Sequence, residues 1–494
     1  DLLQQTSDLT LPTLTPAPEE RYQPFPLTEI QQAYWLGRNR AFELGNIASH
    51  IYIELDCQDL DLKSLNQAWH KIIDHHEMLR MVVLPDGQQQ ILEEVPAYEI
   101  QVFEMCSQSQ QTLTRHLERM RQQMSHQVFD SEQWPLFKLC ATQLDPHRTR
   151  LHLSFDALIA DAMSLMNFGQ QWWQLYQNPQ AALPKVEASF RDYVLAECLL
   201  KDTPMYQRSQ EYWGQRLSTL PPAPELPFAK QPTALKQPQF KRFSGKLTSQ
   251  QWQKLQNKAN KANLTGSGVL LAAFSDSLSC WSKTPHFTIN LTLFNRLPLH
   301  PQVNEIVGDF TSLTLLEVDN STVATFVERA QRLQAQLWQD LDHRYVSGVA
   351  VQRQLRRERG TYQAMGVVFT STLGVTDLAQ QDWWVNKFGE MVYSITQTPQ
   401  VWLDHQVMEE QGALLFNWDV VEELFPPGMV DEMFSSYCNY LQQLASDEQS
   451  WQENYPQLLS VKQLENRQQL NQTPSSIEAQ TLDGLFVQQA NKQG

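Results

Sequence analysis

Several features are scarce in this sequence of 494 residues, and each scarcity excludes a class of function. Basic residues are outnumbered, with 38 Lys and Arg against 55 Asp and Glu, which gives a formal net charge of −17. We therefore expect no nucleic-acid partner, because phosphate binding needs a concentrated basic face. Every apolar run is much shorter than the roughly 18 residues that indicate a membrane span, and the first residues do not resemble a signal peptide. We expect no membrane span.

Cysteine is scarce as well. The six cysteines are scattered, with no close pair that would suggest a disulfide framework or a zinc site. The simplest expectation is reduced, mostly buried thiols in a cytoplasmic protein. A glycine-rich phosphate loop and metal-ligand spacing are also missing from the sequence, so we expect this domain to bind no cofactor and no metal ion of its own. The chemistry then has to come from positioned side chains.

What the sequence does contain is material for large cores, with 41% hydrophobic residues including 14 Trp and 22 Phe. Its length suggests two lobes of roughly 200 residues each. We predict a linker at 1–20, an N-terminal lobe at 21–200, a C-terminal lobe at 201–465 and a polar linker at 466–494. A proline-dense crossover at 220–228 supports a boundary in this region, because it cannot be a helix or a central strand. The order of predicted strands and helices indicates an α/β (α+β) fold with mixed sheets.

The stretch 151–164 combines a strand with the start of a helix. Apolar and polar residues alternate up to Phe155, which indicates a half-buried strand, and the segment 158–176 suits a helix. Asp156 therefore lies at a junction where a fold can hold a reactive side chain. Asp161 follows five residues later; on one helix the two carboxylates would point roughly 140° apart, so we expect different roles for them. The structural alternative is that Asp156 caps the helix and Asp161 pairs with a buried cation.

Two later segments provide further candidates. The apolar run 366–374 predicts a buried strand that delivers Thr370 at its end. Alternation in 397–406 places four side chains on one face: Gln400, Trp402, Asp404 and Gln406. A carboxylate among aromatic and amide side chains is a candidate for a raised pKa and for acid–base work, which singles out Asp404.

Asp419 is a third candidate carboxylate for the catalytic set. Its spacing from Glu422 matches a capping box, so we favour a helix N-cap for Asp419 over acid–base work. The same argument does not apply to Asp404, because nothing downstream of it resembles a helix that it could cap.

The spacing Asp156-x4-Asp161-x2-Ser164 resembles the third core motif of the heterocyclization domains of nonribosomal peptide synthetases. These domains belong to the condensation-domain superfamily, whose usual signature at this place is His-His-x3-Asp-Gly. In that alignment Asp156 replaces the first His, Ala157 replaces the second His, which is normally called catalytic, and Asp161 retains the Asp. Six other segments resemble the remaining motifs in family order: Phe25–Arg38, His75–Arg80, Leu220–Phe228, Val307–Leu313 (with Gly-Asp-Phe-Thr), Gly366–Gly374 and Gln397–Gln406.

The resemblance covers about residues 22–465. It implies two chloramphenicol-acetyltransferase-like lobes arranged as a V, with a tunnel between them that is open to a donor carrier domain at one face and to an acceptor carrier domain at the other. Both substrates would arrive as thioesters on the phosphopantetheine arms of peptidyl carrier domains. Residues 482–489 resemble the lead-in to an adenylation domain, so an adjacent adenylation domain is expected.

The resemblance also implies a chemistry. The amine of a Cys, Ser or Thr acceptor forms an amide with the donor, its side chain attacks the new carbonyl, and loss of water gives a thiazoline or oxazoline. Positioning can supply much of the barrier to condensation, in keeping with Ala157 in place of the catalytic His. Loss of water needs a proton donor, and we assign proton transfer to Asp404, oriented by Thr370.

The remaining site residues receive supporting roles from the resemblance. Asp156 and Asn295 would shape the tunnel or assist the tetrahedral intermediate. Asp161 and Arg296 would form a buried, structural ion pair between the lobes, with Ser164 beside it. Four further positions are expected along the substrate tunnel: Ala157, Gln397, Gln400 and Trp402.

Two other interpretations stay open. A condensation-only acyltransferase would be expected to keep His-His-x3-Asp-Gly, which is absent here. A non-catalytic domain that recruits a partner to carrier-bound peptide would tolerate the loss of that histidine, but it would have no reason to keep Asp156, Asp161, Thr370 and Asp404 together. Tunnel-lining residues, rather than a sequence motif, decide the acyl donor and the choice among Cys, Ser and Thr; a siderophore or a thiazoline peptide would fit as product.

Overall fold

The structure, a computed structural model, describes residues 11–39, 44–360, 364–374, 383–454, 458–459 and 461–471. Residues 1–456 form one compact unit and residues 457–494 a second one. The predicted linkers at 1–20 and 466–494 are described only in part, and the adenylation-like segment 482–489 lies outside the described residues.

The strands are β1 (Phe25–Pro26), β2 (His50–Gln58), β3 (Met81–Val83), β4 (Gln88–Ile91), β5 (Gln101–Glu104), β6 (Phe137–Gln143), β7 (Arg148–Asp156), β8 (Lys241–Leu247), β9 (His286–Phe294), β10 (Thr311–Asp319), β11 (Val367–Ser371), β12 (Glu390–Gln397), β13 (Leu403–Glu410) and β14 (Ala413–Val420). The α-helices of the first unit are α1 (Glu29–Gly37), α2 (Leu62–His75), α3 (Gln110–Ser125), α4 (Ala162–Gln177), α5 (Phe190–Cys198), α6 (Pro204–Arg216), α7 (Ser249–Lys261), α8 (Gly266–Trp281), α9 (Phe326–Asp342), α10 (Gly348–Arg359), α11 (Val385–Phe388) and α12 (Met429–Ser446). The second unit contains α13 (Val461–Asn471). Short 3₁₀ helices occupy Pro18–Glu20, Glu77–Arg80, Leu199–Asp202, Pro232–Ala234, Glu422–Leu424 and Gln449–Gln452.

The described residues of the first unit form three sheets, and the predicted mixed α/β class is confirmed. A six-stranded sheet has the order β10-β9-β11-β13-β14-β8, a five-stranded sheet has the order β12-β2-β7-β6-β5, and a small sheet has the order β1-β4-β3. In the six-stranded sheet, β11 is parallel to both β9 and β13, and the outer pairings are antiparallel. A central parallel strand is buried on both faces, which explains the continuous apolar run that begins β11.

The five-stranded sheet draws most of its strands from the N-terminal half of the chain, but β12 is an exception. This strand comes from residues 390–397 and pairs antiparallel with β2 over nearly its whole length. The sheet therefore crosses the predicted division near residue 200, and that division stays a prediction.

The six-stranded sheet separates an aromatic core from a polar face by strand alternation. His405 and Trp418 point to one side, where they pack with Phe274 of α8 and Tyr437 of α12. Burial lowers the pKa of His405 to about 3, so this imidazole is a neutral core group. The neighbouring residues on each strand consequently face the other way.

Around the motif at 151–164, the structure corrects one element boundary. The helix does not begin at residue 158; α4 begins at Ala162, with Asp161 as its N-cap. Asp156 is the last residue of β7. The two carboxylates therefore never share a helix, and a short turn separates their positions. Strand β7 pairs antiparallel with the preceding strand β6 as a hairpin.

Candidate active site

A cavity of about 1030 Å³ lies inside the first unit. Its walls come from one face of the six-stranded sheet, from helix α1, and from strands β2 and β12 of the five-stranded sheet. A large, mainly apolar cavity with a few convergent polar groups is the default candidate for an active site.

Two rows of mostly polar side chains cross the cavity face of the six-stranded sheet. Residues in register on neighbouring strands share a face, as do residues two apart on one strand. The first row contains Asn290, Val368, Asp404, Asp419 and Arg242, and the second contains Thr292, Thr370, Gln406, Asn417 and Ser244. The sequence predicted the shared face of Asp404 and Gln406; it is the sheet register that adds the residues of β8, β9 and β14.

Asp404 lies in the middle of the first row and is 8% exposed. Its Oδ2 accepts a hydrogen bond of 2.7 Å from Nε2 of Gln406, whereas its Oδ1 has no hydrogen-bond partner among the described residues. Burial, with the negative charge of Asp419, raises the pKa of Asp404 to about 7, against the lowering effects of Gln406, Arg242 and Thr370. Both protonation states are therefore accessible near neutral pH, as a general acid or base requires.

The expected helix cap at Asp419 is wrong. Asp419 lies in β14, and the 3₁₀ helix that follows has Val421 at its N-cap position. Nε of Arg242 donates to Oδ1 of Asp419 at 2.7 Å, and the hydroxyl and backbone N–H of Thr396 donate to its Oδ2 at 2.7 and 3.0 Å. Asp419 is fully buried and is absent from the described residues that line the cavity. It therefore holds Arg242 and ties β12 to the six-stranded sheet, and its place in the catalytic set stays a prediction.

Thr370 lines the cavity beside Asp404. Its hydroxyl donates a hydrogen bond of 2.8 Å to Oγ1 of Thr292. The amide of Gln406, rather than Thr370, makes the 2.7 Å hydrogen bond to Asp404, and the same amide donates to Oγ1 of Thr396 at 2.6 Å. The orientation of Asp404 thus depends first on Gln406, with Thr370 as a neighbour that favours the ionised carboxylate.

The predicted ion pair between Asp161 and Arg296 is present and buried. One guanidinium nitrogen, Nη2, donates to Oδ1 of Asp161 at 2.8 Å and to Oγ of Ser164 at 2.9 Å. Oδ1 of Asp161 also accepts the backbone N–H of Ser164 at 2.7 Å, which caps α4. The three residues form one connected structural group that joins the N-terminal and C-terminal halves of the chain.

Asp156 and Asn295 do not occupy the positions expected of tunnel residues. Asp156 is fully buried and accepts hydrogen bonds of 2.6 Å from Arg38 at both carboxylate oxygens. The backbone carbonyl of Asn295 accepts a hydrogen bond from the hydroxyl of Tyr193 at 2.9 Å. Neither side chain is among the described residues that line the cavity. Arg38 thus binds the Asp156 carboxylate inside the protein, and the roles of Asp156 and Asn295 at the tunnel or the tetrahedral intermediate stay predictions.

Three of the four predicted tunnel positions line the cavity: Ala157, Gln397 and Gln400. Trp402 is the exception. Gln400 has a φ of 65°, so the chain turns there and β13 begins only at Leu403. Trp402 instead packs edge-on against Phe228, with ring centroids 5.4 Å apart. A Cβ on Gly366 would come within 2.1 Å of its indole ring, so the tryptophan occupies the space that this glycine leaves.

Sequence reasoning missed three polar residues of the cavity wall. Arg242 lies in a strand without a recognisable motif and reaches its place through sheet register. Tyr34 and Asp309 belong to segments that resemble family motifs, but neither was assigned a role. Both line the cavity, and an ionisable residue inside a recognised motif is the signal that could have identified them.

Neither a metal site nor a membrane helix occurs in the described part of the chain. There, no group of three or more His, Cys, Asp and Glu side chains is arranged to hold a metal ion. Likewise, no described helix is both long enough and apolar enough to cross a membrane.

Comparison with known sequences gives consistent matches over nearly the whole chain. A family model described as the condensation domain matches residues 22–469. Pyochelin synthetase PchF of Pseudomonas aeruginosa is 39% identical over 438 residues, which cover 88% of this chain and 24% of that protein. Phenyloxazoline synthase MbtB of Mycobacterium sp. (strain MCS) is 35% identical over 475 residues, which cover 94% of this chain and 39% of that protein. The chain thus spans less than half the length of either relative.

A solved structure matches the fold at similar identity. The EpoB cyclization–docking bidomain of a nonribosomal peptide synthetase from Sorangium cellulosum, in its monoclinic crystal form, has a TM-score of 0.84 and 41% sequence identity. The match covers 91% of this chain and 90% of that chain.

Proposed function

This chain belongs to the condensation-domain family and, within it, to the cyclization domains of nonribosomal peptide synthetases, and we propose that it forms a thiazoline or oxazoline from carrier-bound substrates. It condenses an acyl or peptidyl donor with a Cys, Ser or Thr acceptor and then removes water. The observation that carries the proposal is Asp404, a buried carboxyl in a large cavity with one unpartnered oxygen and a pKa raised to about 7.

The reaction has three steps. First, the acceptor amine attacks the donor thioester; the C–N bond forms, the C–S bond breaks, and the pantetheine thiol leaves with the proton that the amine loses. Second, the thiol or hydroxyl of the acceptor side chain adds to the new amide carbonyl, whose oxygen becomes a hydroxyl group. Third, that hydroxyl leaves as water while the ring nitrogen loses its proton and the C=N bond forms.

Asp404 acts in the third step. Hydroxide is a poor leaving group, so the protonated carboxyl donates its proton to the departing oxygen. The resulting carboxylate takes the proton of the ring nitrogen and is protonated again at the end of the step. A pKa of about 7 suits both transfers, because neither protonation state is strongly disfavoured near neutral pH.

The residues around Asp404 position it for this exchange. Gln406 holds Oδ2, Oδ1 has no hydrogen-bond partner among the described residues, and Thr370 also lines the cavity. Asp419, fixed by Arg242, raises the pKa of Asp404 by its charge. Condensation itself depends on the positioning of two tethered substrates, which can supply much of its barrier.

The substrates enter on partner domains. Donor and acceptor peptidyl carrier domains present both thioesters on phosphopantetheine arms, and an adenylation domain adjacent to this one loads the acceptor carrier. PchF and MbtB are synthetases much longer than this chain, which supports such a multidomain setting. The domain uses no cofactor of its own and works in the cytoplasm.

The test is to load donor and cysteinyl-acceptor carrier domains, add this protein, and follow the acceptor-bound product by intact mass. A product lighter by one water than the linear dipeptide is the expected result. Linear dipeptide alone would indicate condensation without cyclization. No product with a Cys, Ser or Thr acceptor would contradict the proposal and favour the non-catalytic alternative.

A further inference from the structure

Asp309 is a second buried carboxyl of the cavity that the mechanism above does not use. It lies in the loop just before β10, lines the cavity and is 1% exposed. Its Oδ1 accepts the backbone N–H of Thr311 at 3.1 Å. Its Oδ2 is buried and has no hydrogen-bond partner among the described residues. A buried polar atom without a hydrogen-bond partner lowers the stability of the fold, so a functional reason for it is worth seeking.

Hydrogen bonds of the preceding residue attach Asp309 to the turn after β7. The carbonyl of Gly308 accepts the backbone N–H of Asp161 at 3.0 Å and the hydroxyl of Ser164 at 2.8 Å. The backbone N–H of Gly308 donates to Oγ of Ser164 at 3.0 Å. The same turn carries Ala157, which lines the cavity and stands where the family signature has its second histidine. Asp309 and Ala157 therefore both line the cavity from segments that these hydrogen bonds connect, and Asp309 is the one with a polar side chain.

The surroundings of Asp309 favour its neutral form. Burial, helped by the negative charges of Asp161 and Asp156, raises the pKa of Asp309 to about 8, against the lowering effect of Thr311. The carboxyl then carries a proton at neutral pH. A carboxylic acid kept neutral in an apolar site can donate a strong hydrogen bond without changing its protonation state.

We propose that Asp309 donates a hydrogen bond from its unpartnered oxygen to the carbonyl oxygen of the donor thioester, and so stabilises the oxyanion that forms when the acceptor amine attacks. This inference rests on the proposed function and assigns a catalytic residue to its condensation step. Asp309 keeps its proton throughout. When the tetrahedral intermediate collapses, the C–S bond breaks and the amine proton leaves with the pantetheine thiol.

This role assigns Asp404 and Asp309 to different steps of the reaction. Asp404 must give up and recover a proton during loss of water, whereas Asp309 needs only to remain a donor during condensation. Donors aimed at a developing oxyanion are among the largest contributors to catalysis in acyl transfer, and removing one typically costs on the order of 100-fold or more in rate.

The experiment is a single-turnover assay with loaded donor and acceptor carriers, in which total condensed product and the cyclized fraction are both measured by intact mass. The variants are Asp309→Ala, which removes the donor, and Asp309→Asn, whose amide replaces it and can still accept the N–H of Thr311. Asp340→Asn is the matched control for lost stability, since Asp340 is another fully buried carboxyl with a raised pKa but does not line the cavity.

We expect Asp309→Ala to lower the rate of condensed product about 100-fold with an unchanged cyclized fraction, and Asp309→Asn to stay within about tenfold of wild type because one neutral donor replaces another. The ratio of the Asp309→Asn rate to the wild-type rate should rise above pH 8, where wild type loses its donor and the amide does not; a merely structural role would leave this ratio flat. The inference is overturned if Asp309→Ala condenses at the wild-type rate, or if Asp309→Asn loses as much as Asp309→Ala. No condensed product from wild type would instead contradict the proposed function, and this inference with it.

Discussion

Asp404 and Asp419 are paired in register on the adjacent antiparallel strands β13 and β14, and their carboxyl groups have contrasting environments. Asp419 is ion-paired with Arg242 and accepts two hydrogen bonds from Thr396. Asp404 has one amide donor, and its other oxygen is buried without a hydrogen-bond partner among the described residues. Burial, together with the negative charge of Asp419 beside it, therefore raises the pKa of Asp404 to about 7, although Gln406 and Arg242 act in the opposite direction.

The substitution Asp404→Asn should separate condensation from cyclization. The amide keeps the size of the side chain but cannot exchange a proton, so we expect linear dipeptide to accumulate on the acceptor carrier and the cyclization rate to fall about 100-fold or more. Intact mass of the acceptor carrier over time measures both products. Asp340→Asn serves as the stability control, and heterocycle formation at the normal rate in Asp404→Asn would show that the role assigned to Asp404 is wrong.

Cyclization should have its own dependence on pH. Because the proton donor is lost as the pH rises through about 7, the cyclization rate should fall about tenfold per pH unit above that value. The clean measurement loads the acceptor carrier with linear dipeptide ending in Ser, whose hydroxyl does not ionise in this range. A cyclization rate that stays constant up to pH 8.5 would argue against proton donation by Asp404.

The raised pKa of Asp404 also makes the stability of the fold depend on pH. Between the ordinary value of 3.8 and about 7, the folded protein binds more protons than the unfolded chain, so its free energy of unfolding decreases as pH rises. Asp404→Asn removes this dependence and should be more stable than wild type at pH 8, by about 1–4 kcal/mol, with a gain that shrinks toward pH 5. Urea unfolding at each pH measures it; Asp86→Asn, in an exposed turn, should show no gain.

Breaking the Asp161–Arg296 pair should destabilise the fold strongly. Arg296→Ala leaves a buried carboxylate without its cation and should cost about 3–5 kcal/mol of unfolding free energy. Adding Asp161→Asn should recover much of this loss, because no unpaired charge remains and Asn is also a good N-cap. Arg332→Ala, at an exposed arginine, should change stability by less than about 0.5 kcal/mol; a similar small effect for Arg296→Ala would contradict the prediction.

Asp156→Asn should affect stability without affecting the product. Its carboxylate is bound by Arg38 and does not line the cavity, so its loss should lower the unfolding free energy by about 3 kcal/mol while the ratio of cyclized to linear product stays at the wild-type value. The carrier assay and thermal unfolding together check this. Accumulation of linear dipeptide in a folded Asp156→Asn variant would contradict this prediction and show that Asp156 takes part in cyclization.

Local sequence patterns predicted helices and strands well. They also predicted those site residues that lie together on one segment, such as Asp404 and Gln406. The spacing of Thr28 and Gln31 is typical of a capping box, and they form one at the start of α1. The apolar run at 367–369 is the expected buried strand. The ion pair between Asp161 and Arg296 followed from the family resemblance and is present.

The errors occur where tertiary pairing overrides a local pattern. Asp419 has capping-box spacing, but β14 is hydrogen-bonded on both edges and continues as a strand through this residue. The alternation of 397–406 predicts that Trp402 shares a face with Asp404. However, the backbone turns at Gln400, which has a positive φ, and the strand begins only at Leu403, so the alternation does not apply to Trp402. Arg242 could not be predicted, because only sheet register brings it to Asp419.

Strand β12 has a consequence for how such a domain is made and recombined. It forms the edge of the five-stranded sheet next to β2. This sheet therefore cannot be completed on the ribosome until residue 397 has been synthesised. Until then β2 presents an open edge, the kind of surface that pairs with other chains or recruits chaperones. Chimeras that exchange only the N-terminal half of related domains would join a sheet to a foreign edge strand; exchanges that keep β2 and β12 from the same parent avoid this mismatch.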